Sequence, residues 1–293
     1  MELGGVGVFS FAFEQRPTNV AREAIGELEE LGYDAVWIPE ARGKEAFTHA
    51  AVLLAGARTI TVATGIASIW ARDPLATVAA TKTLADAFPG RLIVGLGVSH
   101  RGLVAARGHE YASPVATMER YLDDMEAAPY GAFEPTEPAP LVLAALGPRM
   151  LELAGRRTRG AHTYFVPVEH TAAAREILGT TSLLAVEQAV VFESEPTIAR
   201  ELARHHTSRY LALDNYRNNL VRLGWDETEL TNGGSDRLVD ALVAWGSPTT
   251  ISKRIRTQHE AGADHVCIQI VAEDRSALSL DVLRHLAPVL RSF

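Results

Sequence analysis

Apolar positions along the chain fall into short uninterrupted runs that alternate with longer stretches of helical spacing. The clearest example begins with a β-branched run at residues 60–70, continues through a helical stretch at residues 75–88 and ends in an apolar run at residues 92–97. Uninterrupted apolar runs are typical of strands buried on both faces. Asp73 before Pro74 is a typical helix start, because Asp accepts backbone N–H groups and proline tolerates the first helical position. The pattern predicts a strand–helix–strand unit.

The same alternation extends over the rest of the chain. Apolar runs predict eight strands, at residues 5–11, 35–38, 60–70, 92–97, 141–145, 161–166, 182–192 and 265–271. Helical spacing predicts the connecting helices, which include residues 18–31, 46–56, 114–127, 171–178 and 277–290. Eight strands alternating with helices in 293 residues indicate an α/β fold of the (β/α)₈ or TIM-barrel type. The mainly helical residues 195–245 are then an insertion before the eighth strand, within one domain spanning residues 1–293.

Two polar residues, Glu187 and Gln188, interrupt the seventh apolar run. They mark either the functional end of that strand or a half-exposed edge, and the sequence pattern is equally consistent with both interpretations. In a parallel barrel the distinction matters, because active sites lie at the C-terminal ends of the strands.

Composition narrows the class of protein. A hydrophobic fraction of 47% and a charged fraction of 22% are ordinary for a globular enzyme. The net charge of −8 argues against a nucleic-acid or acidic-membrane surface. Cys267 is the one cysteine, which excludes a disulfide framework and a cysteine-rich metal site. With no signal-like opening and no membrane-length apolar run, we expect a cytoplasmic protein whose partner is a small molecule.

The candidates for binding or catalysis are the residues at the predicted C-terminal ends of the strands. They are Phe11, Glu40, Ser68, Ile69, Trp70, Ser99, His100, Gly147, His162, Tyr164 and Gln188. The sequence has no H-x-H after the first strand and no G-x-S-x-G, so neither a metal site nor a serine hydrolase is predicted. Lys44, Lys82 and Lys253 fall in helices or loops, which argues against Schiff-base chemistry.

The other residues at the predicted C-terminal strand ends, which would form the mouth of the barrel, are small or apolar and include several glycines. Such a mouth suits a flat, conjugated cofactor that brings its own chemistry. Gly147-Pro148-Arg149 stands at a predicted helix start. This tripeptide is either a phosphate cradle, because helix N-termini attract anions, or a plain turn between strand and helix.

Five sequence pieces carry a resemblance that runs over nearly the whole chain. They are residues 63–74 (ATGIASIWARDP), 90–100 (GRLIVGLGVSH), 144–154 (AALGPRMLELA), 215–223 (NYRNNLVRL) and 262–268 (GADHVCI). In these pieces the chain resembles the bacterial luciferase-like superfamily of flavin and deazaflavin oxidoreductases. Within it, the chain is similar to the actinobacterial branch that uses coenzyme F420, an 8-hydroxy-5-deazaflavin.

The resemblance implies a set of site residues. The cofactor-binding residues would be Ser68, Ile69, Gly97, Val98, Ser99, His100, Ala145, Leu146, Gly147, Pro148, Arg149 and Met150. Ser68-Ile69 would be the family's non-prolyl cis peptide, with Ile69 behind the deazaflavin ring. Glu40, His100 and His162 are the candidate proton donors, although each is also consistent with a structural role, Glu40 in a salt bridge with an Arg. Val98 stands where some deazaflavin dehydrogenases carry a carboxylate, so a sugar-phosphate dehydrogenase is not expected.

The resemblance also implies an activity and an assembly. The expected activity is hydride transfer between F420 and a small organic substrate held under residues 215–216. The alternatives are an FMN-dependent monooxygenase and a non-catalytic flavin-fold binding protein. By analogy with the family we expect a homodimer, formed through the helices after the second and third strands. Small and apolar residues would let those helices approach closely: Ala50, Ala51, Leu54, Ala55, Ala79 and Ala80.

Overall fold

The computed structural model describes residues 3–291 and 293. In chain order its strands are β1 (Val6–Phe9), β2 (Ala35–Ile38), β3 (Thr61–Thr64), β4 (Ala67–Ser68), β5 (Leu92–Gly97), β6 (Leu141–Ala144), β7 (Gly160–Thr163), β8 (Leu183–Val191), β9 (Val243–Trp245) and β10 (His265–Ile270). Eight of them close a barrel in the order β1-β2-β3-β5-β6-β7-β8-β10, and β10 pairs back to β1. Every pairing is parallel. The predicted (β/α)₈ barrel is confirmed.

Helices surround the barrel. They are α1 (Ala12–Gln15), α2 (Thr18–Glu30), α3 (Ala46–Leu54), α4 (Pro74–Ala87), α5 (Arg101–Ala105), α6 (Pro114–Glu126), α7 (Pro148–Arg157), α8 (Val168–Leu178), α9 (Pro196–Leu211), α10 (Asp214–Arg222), α11 (Asp236–Leu242), α12 (Pro248–Glu260) and α13 (Leu280–Leu290), with a 3₁₀ turn at Glu227–Leu230. The short α1 and α5 lie where the sequence analysis predicted no helix. Within the described residues, no helix is both long enough and apolar enough to cross a membrane.

Strand β2 shows why the apolar runs are uninterrupted. Ala35 and Trp37 point into the barrel and pack with the interior residues, whereas Val36 and Ile38 point outward into the core between sheet and helices. All four side chains are fully buried. Successive side chains of a strand point to opposite faces, so a strand covered on both faces needs an apolar residue at every position.

The predicted start of α4 and the predicted end of α2 are confirmed. The Asp73 side chain accepts a hydrogen bond from the Ala76 N–H at 2.8 Å, and Pro74 occupies the first helical position. After α2, Gly32 has a φ of +84°, a conformation that glycine adopts without steric cost. Both boundaries follow from local backbone chemistry, which is why the sequence predicted them.

The predicted third strand is divided in the structure. β3 ends at Thr64 and β4 begins at Ala67. The non-prolyl cis peptide bond joins Gly65 and Ile66, so its predicted position at Ser68-Ile69 is wrong. Position 65 also requires glycine, because a Cβ there would lie 2.9 Å from Cε2 of Phe9.

The segment between β8 and β10 contains helices α9, α10 and α11 and the strand β9. The helices share an apolar cluster with the end of β8, which includes Ala203, Leu220, Val239 and Val191. β9, which the sequence analysis missed, pairs with β8 so that Val243 lies beside Ala189. This pairing fixes the segment over the C-terminal end of the barrel.

The expected homodimer remains a prediction. Of the six residues expected at the interface, Ala50 and Leu54 are fully buried in the chain's own core, whereas Ala51, Ala55, Ala79 and Ala80 are at least partly exposed and could contact a partner. Light scattering at micromolar concentration is expected to give twice the chain mass of 31.7 kDa. A single-chain mass would contradict the dimer.

Candidate active site

Glu40 follows β2 and lies beneath the barrel mouth. One carboxylate oxygen accepts from the Ser68 N–H at 2.8 Å, and the other accepts from the Ala46 N–H at 3.3 Å. Glu40 also forms a buried ion pair with Arg72, whose guanidinium lies 2.8 Å from Glu45. This is the salt bridge considered as the alternative to a catalytic role. Glu40 ties β2 to β4, and its role as a proton donor stays a prediction.

Ile66, rather than Ile69, packs against β5 at the mouth. Gly95 and Gly97 leave room for it: a Cβ on Gly97 would lie 2.5 Å from Cδ1 of Ile66. Ile69 is buried, and its N–H donates to the Gly97 carbonyl at 3.1 Å. Ser68 pairs with Gly97 in the sheet. The structure thus brings Ser68, Ile69 and Gly97 together, as expected, and also places the Ile66 side chain against Gly97. The position of Ile69 behind the deazaflavin ring stays a prediction.

The loop after β5 carries three predicted residues. The Trp70 indole donates to the Val98 carbonyl at 2.9 Å, and Ser99 has a φ of +59°. His100 is the N-cap residue of α5, and its ring centre lies 5.7 Å from that of Tyr216 in α10. Burial lowers the pKa of His100, and its hydrogen bond to the Asn215 side chain opposes that shift. A neutral imidazole therefore joins the β5 loop to the insertion.

His162 lies inside the barrel, away from Glu40 and His100. Its ring stacks on Trp37 with centres 4.4 Å apart, and its Nδ1 lies 3.3 Å from the Ala185 carbonyl. Burial lowers the pKa of His162 to about 3, so the ring is neutral. The Trp37 indole in turn donates to His265 at 3.1 Å. This position does not favour a catalytic role for His162, because the ring belongs to the packed interior.

The remaining predicted cofactor residues surround the start of α7. Ala145 and Met150 are buried, Leu146 and Gly147 are half-buried, and Pro148 and Arg149 are exposed. Gly147 is the N-cap of α7 and provides no side-chain cap. Nη1 of Arg222, from α10, would lie 3.4 Å from a Cβ on Gly147. The positive Arg222 guanidinium and the positive end of the α7 dipole repel each other, and an anion bound between them would be attracted to both. This arrangement therefore favours a bound anion.

Asn219 strengthens this anion site. Its Oδ1 accepts from Nη1 of Arg222 at 3.2 Å, and the residue is 1% exposed. Its Nδ2 has no hydrogen-bond partner among the residues the structure describes, although an unsatisfied buried donor is costly. Neither Asn219 nor Arg222 is among the ligands predicted from the sequence. The signal was available in residues 215–223, where polar side chains interrupt a helix in one of the resembling pieces.

Glu187 and Gln188 are both 1% exposed, which excludes the half-exposed edge. Gln188 points outward and accepts from the Gln258 amide at 3.0 Å. Glu187 accepts from the Phe165 N–H at 3.1 Å through one oxygen, and its other oxygen has no partner in the described part of the chain. Burial raises the pKa of Glu187 to about 8, so the carboxyl is largely protonated at neutral pH.

Comparison with known proteins identifies the family. The family model of luciferase-like monooxygenases matches residues 6–265. The chain belongs to this luciferase-like family.

A curated relative from Mycobacterium tuberculosis, "Putative coenzyme F420-dependent oxidoreductase Rv3520c", is 34% identical over 110 residues, which are 37% of this chain and 31% of the relative. The 5,10-methylenetetrahydromethanopterin reductase of Methanolobus tindarius is 27% identical over 150 residues, 45% of this chain and 46% of the reductase. The chain thus spans less than half the length of these relatives.

Solved structures share the luciferase-like fold over nearly their whole length. An F420-dependent secondary alcohol dehydrogenase, in complex with an F420-acetone adduct, has a TM-score of 0.78 at 17% identity, covering 98% of this chain and 99% of that one. The oxygenating constituent of 3,6-diketocamphane monooxygenase from Pseudomonas putida, in complex with FMN, has a TM-score of 0.71 at 15% identity, covering 98% and 97%. At these identities the likeness concerns the fold alone.

The raised pKa of Glu187 predicts a pH-dependent stability. Between the ordinary glutamate pKa near 4.5 and about 8, the folded state binds a proton that the unfolded state has released, so stability falls as pH rises through this window. Each pH unit inside the window costs up to about 1.4 kcal/mol. Urea unfolding of Glu187→Gln is expected to lose this slope, whereas Glu152→Gln on the exposed side of α7 keeps it. Equal slopes in Glu187→Gln and the parent would contradict the assignment.

Proposed function

We propose that this luciferase-like protein is an F420-dependent oxidoreductase that transfers a hydride between the deazaflavin and a small organic substrate. The observation that carries the proposal is the anion site at the start of α7. There an uncapped helix N-terminus, the Arg222 guanidinium and the unpartnered Asn219 amide converge near Gly147. A phosphate group of the cofactor would neutralise the guanidinium and accept from both donors.

The mouth of the barrel also suits a cofactor that performs the chemistry. When bound, the deazaflavin would supply or accept the hydride. The chain's polar groups there are engaged with one another: Glu40 with Arg72, His100 with Asn215, and the Trp70 indole with the Val98 carbonyl. Few titratable groups remain to act as nucleophile or general base. The chain would contribute mainly by holding cofactor and substrate in close alignment.

Residues of the insertion would exclude water from the reacting groups. Tyr216 is buried and lies over His100, and its ring centre is 6.1 Å from that of Tyr164 at the end of β7. Its ring is also 5.3 Å from Tyr210 in α9. These aromatic contacts join α9 and α10 to the barrel, so the site is covered by packed side chains.

An FMN-dependent monooxygenase is the second candidate. A phosphate site serves FMN as well as F420, and the FMN-bound diketocamphane monooxygenase shares the fold with a TM-score of 0.71. Of the two curated relatives described above, the one from Mycobacterium tuberculosis favours F420, since F420 is part of its name. A non-catalytic binding protein is the third candidate, which turnover of reduced cofactor with a panel of acceptors would exclude.

Titration of the purified protein with each cofactor tests the proposal. F420 is expected to bind and to show its one main absorption band near the violet edge in the complex. FMN, recognised by its two-band flavin spectrum, is expected to bind more weakly. Tight binding of FMN without binding of F420 would support the monooxygenase, and binding of neither would overturn both.

Gly147→Asp tests the phosphate site. The introduced carboxylate would lie beside Arg222 and oppose a phosphate, which is expected to cost on the order of a few kcal/mol, or about 100-fold in F420 affinity. Stability is expected to be retained or raised, because Asp is a favourable N-cap and would pair with Arg222. Gly147→Asn is the matched neutral control. Equal F420 affinity in the Asp and Asn variants would refute the site.

A further inference from the structure

A cavity of about 390 Å³ opens at the C-terminal ends of β1 and β10, beneath helix α9. Its volume is within the range of small-molecule sites, roughly 300–1,000 Å³. In the barrel order, β10 and β1 lie across the mouth from β6, which leads to α7. The cavity is therefore separate from the anion site at Gly147.

Two arginines line this cavity without a carboxylate partner. Arg209 comes from α9 and Arg275 from the loop after β10. Neither guanidinium lies within 4.0 Å of a carboxylate oxygen in residues 3–291 and 293. The carbon of the Arg275 guanidinium lies 5.5 Å from the centre of the Phe11 ring, which also lines the cavity. Two neighbouring positive charges without a counterion favour an anion between them.

Burial and charge repulsion both act on these groups. Partial burial and the charge of Arg275 lower the pKa of Arg209. Burial and the two arginine charges lower the pKa of His206 to about 3, so this cavity-lining ring is neutral. The positive charge of Arg275 therefore contributes to lowering the pKa of both Arg209 and His206.

The polar side chains of His206 and Gln269 add hydrogen-bond donors to the cavity beside the two arginines. His206 is 6% exposed, and its Nε2 has no hydrogen-bond partner among the described residues. Gln269 lies at the end of β10, and its Oε1 accepts from the Tyr164 hydroxyl at 2.7 Å. Its amide Nε2 thus remains as a donor in the cavity lining. An unpartnered imidazole and an amide beside two guanidiniums make a site that fits an oxyanion.

The carboxylates that line the cavity form no ion pair with Arg209 or Arg275 within the described residues. Asp274 accepts from the N–H and hydroxyl of Ser276 at 2.9 Å and 2.7 Å, and its other oxygen lies 3.9 Å from Arg16. Its side chain is 68% exposed. Glu201 and Glu273 are also exposed lining residues. The guanidinium groups of Arg209 and Arg275 thus remain available to bind an anionic ligand.

We propose that this cavity binds the anionic group, a carboxylate or a phosphate monoester, of the small-molecule substrate. Arg209 and Arg275 are its charged ligands, with His206 and Gln269 as neutral donors. The proposal rests on the proposed oxidoreductase function, because it names the substrate class for that reaction. A series of neighbouring side chains leads from the cavity to His100. Gln269 accepts from the Tyr164 hydroxyl, and the Tyr164 ring centre lies 6.1 Å from that of Tyr216. The Tyr216 ring centre in turn lies 5.7 Å from that of His100. A substrate held here by its anion would extend toward the mouth.

Calorimetric titration of the cofactor-free protein tests the anion site directly. The probes are benzoate, phenyl phosphate and the neutral benzamide. Benzoate or phenyl phosphate is expected to bind both to the parent and to Arg222→Met, whose anion site at Gly147 lacks its guanidinium, and the stronger of the two in that variant distinguishes a carboxylate from a phosphate. Arg209→Met and Arg275→Met are each expected to weaken this binding at least about tenfold, because each removes a charge-assisted hydrogen bond. Both residues are exposed, so the variants should fold, which thermal melting checks.

Arg222→Met is the matched control, because it removes an arginine at the other side of the mouth. It is expected to weaken F420 binding and leave benzoate binding unchanged. The proposal is overturned if benzamide binds as well as benzoate, if neither anion binds at about 1 mM, or if both cavity variants bind like the parent. Anion binding through Arg209 and Arg275 without any F420 binding would instead reject the oxidoreductase function and keep the anion site.

Discussion

Closure of the parallel sheet is the constraint on which the rest of the structure depends. β10 completes the barrel by pairing with β8 on one side and with β1 on the other. Because all strands then run in one direction, their C-terminal ends meet at one rim. Glu40 after β2, His100 after β5 and Gly147 after β6 are brought to this rim although they are far apart in the chain. The site is thus a consequence of closure.

The insertion before β10 adds two arginines to that rim. Its helices bring Arg222 to the start of α7 and Arg209 to the cavity across the mouth. Tyr210 and Tyr216 pack on the barrel between these two positions. A chain with a net charge of −8 therefore presents local positive charge where ligands would bind. Local groups, rather than net charge, decide which small ligand a site accepts.

The barrel interior tolerates polar groups because most find partners there. Trp37, His162 and His265 form a stacked and hydrogen-bonded group whose histidines are neutral. Two interior groups are exceptions within the described residues: Nε2 of His162 and one oxygen of Glu187 have no hydrogen-bond partner, and the pKa of Glu187 is raised to about 8. Glu187 is also linked to the segment after β7, because it accepts from the Phe165 N–H.

The sequence by itself determined the barrel, because burial on both strand faces, helix caps such as Asp73 and turn glycines such as Gly32 are recorded in local residue patterns. It also indicated which loops form the rim. Only the tertiary structure decided that Glu187 points inward, that His162 belongs to the interior, and that Arg222 meets a helix start some seventy residues earlier in the chain. A periodic pattern specifies which residues are buried, whereas contacts between distant segments depend on how the closed barrel and its insertion pack together.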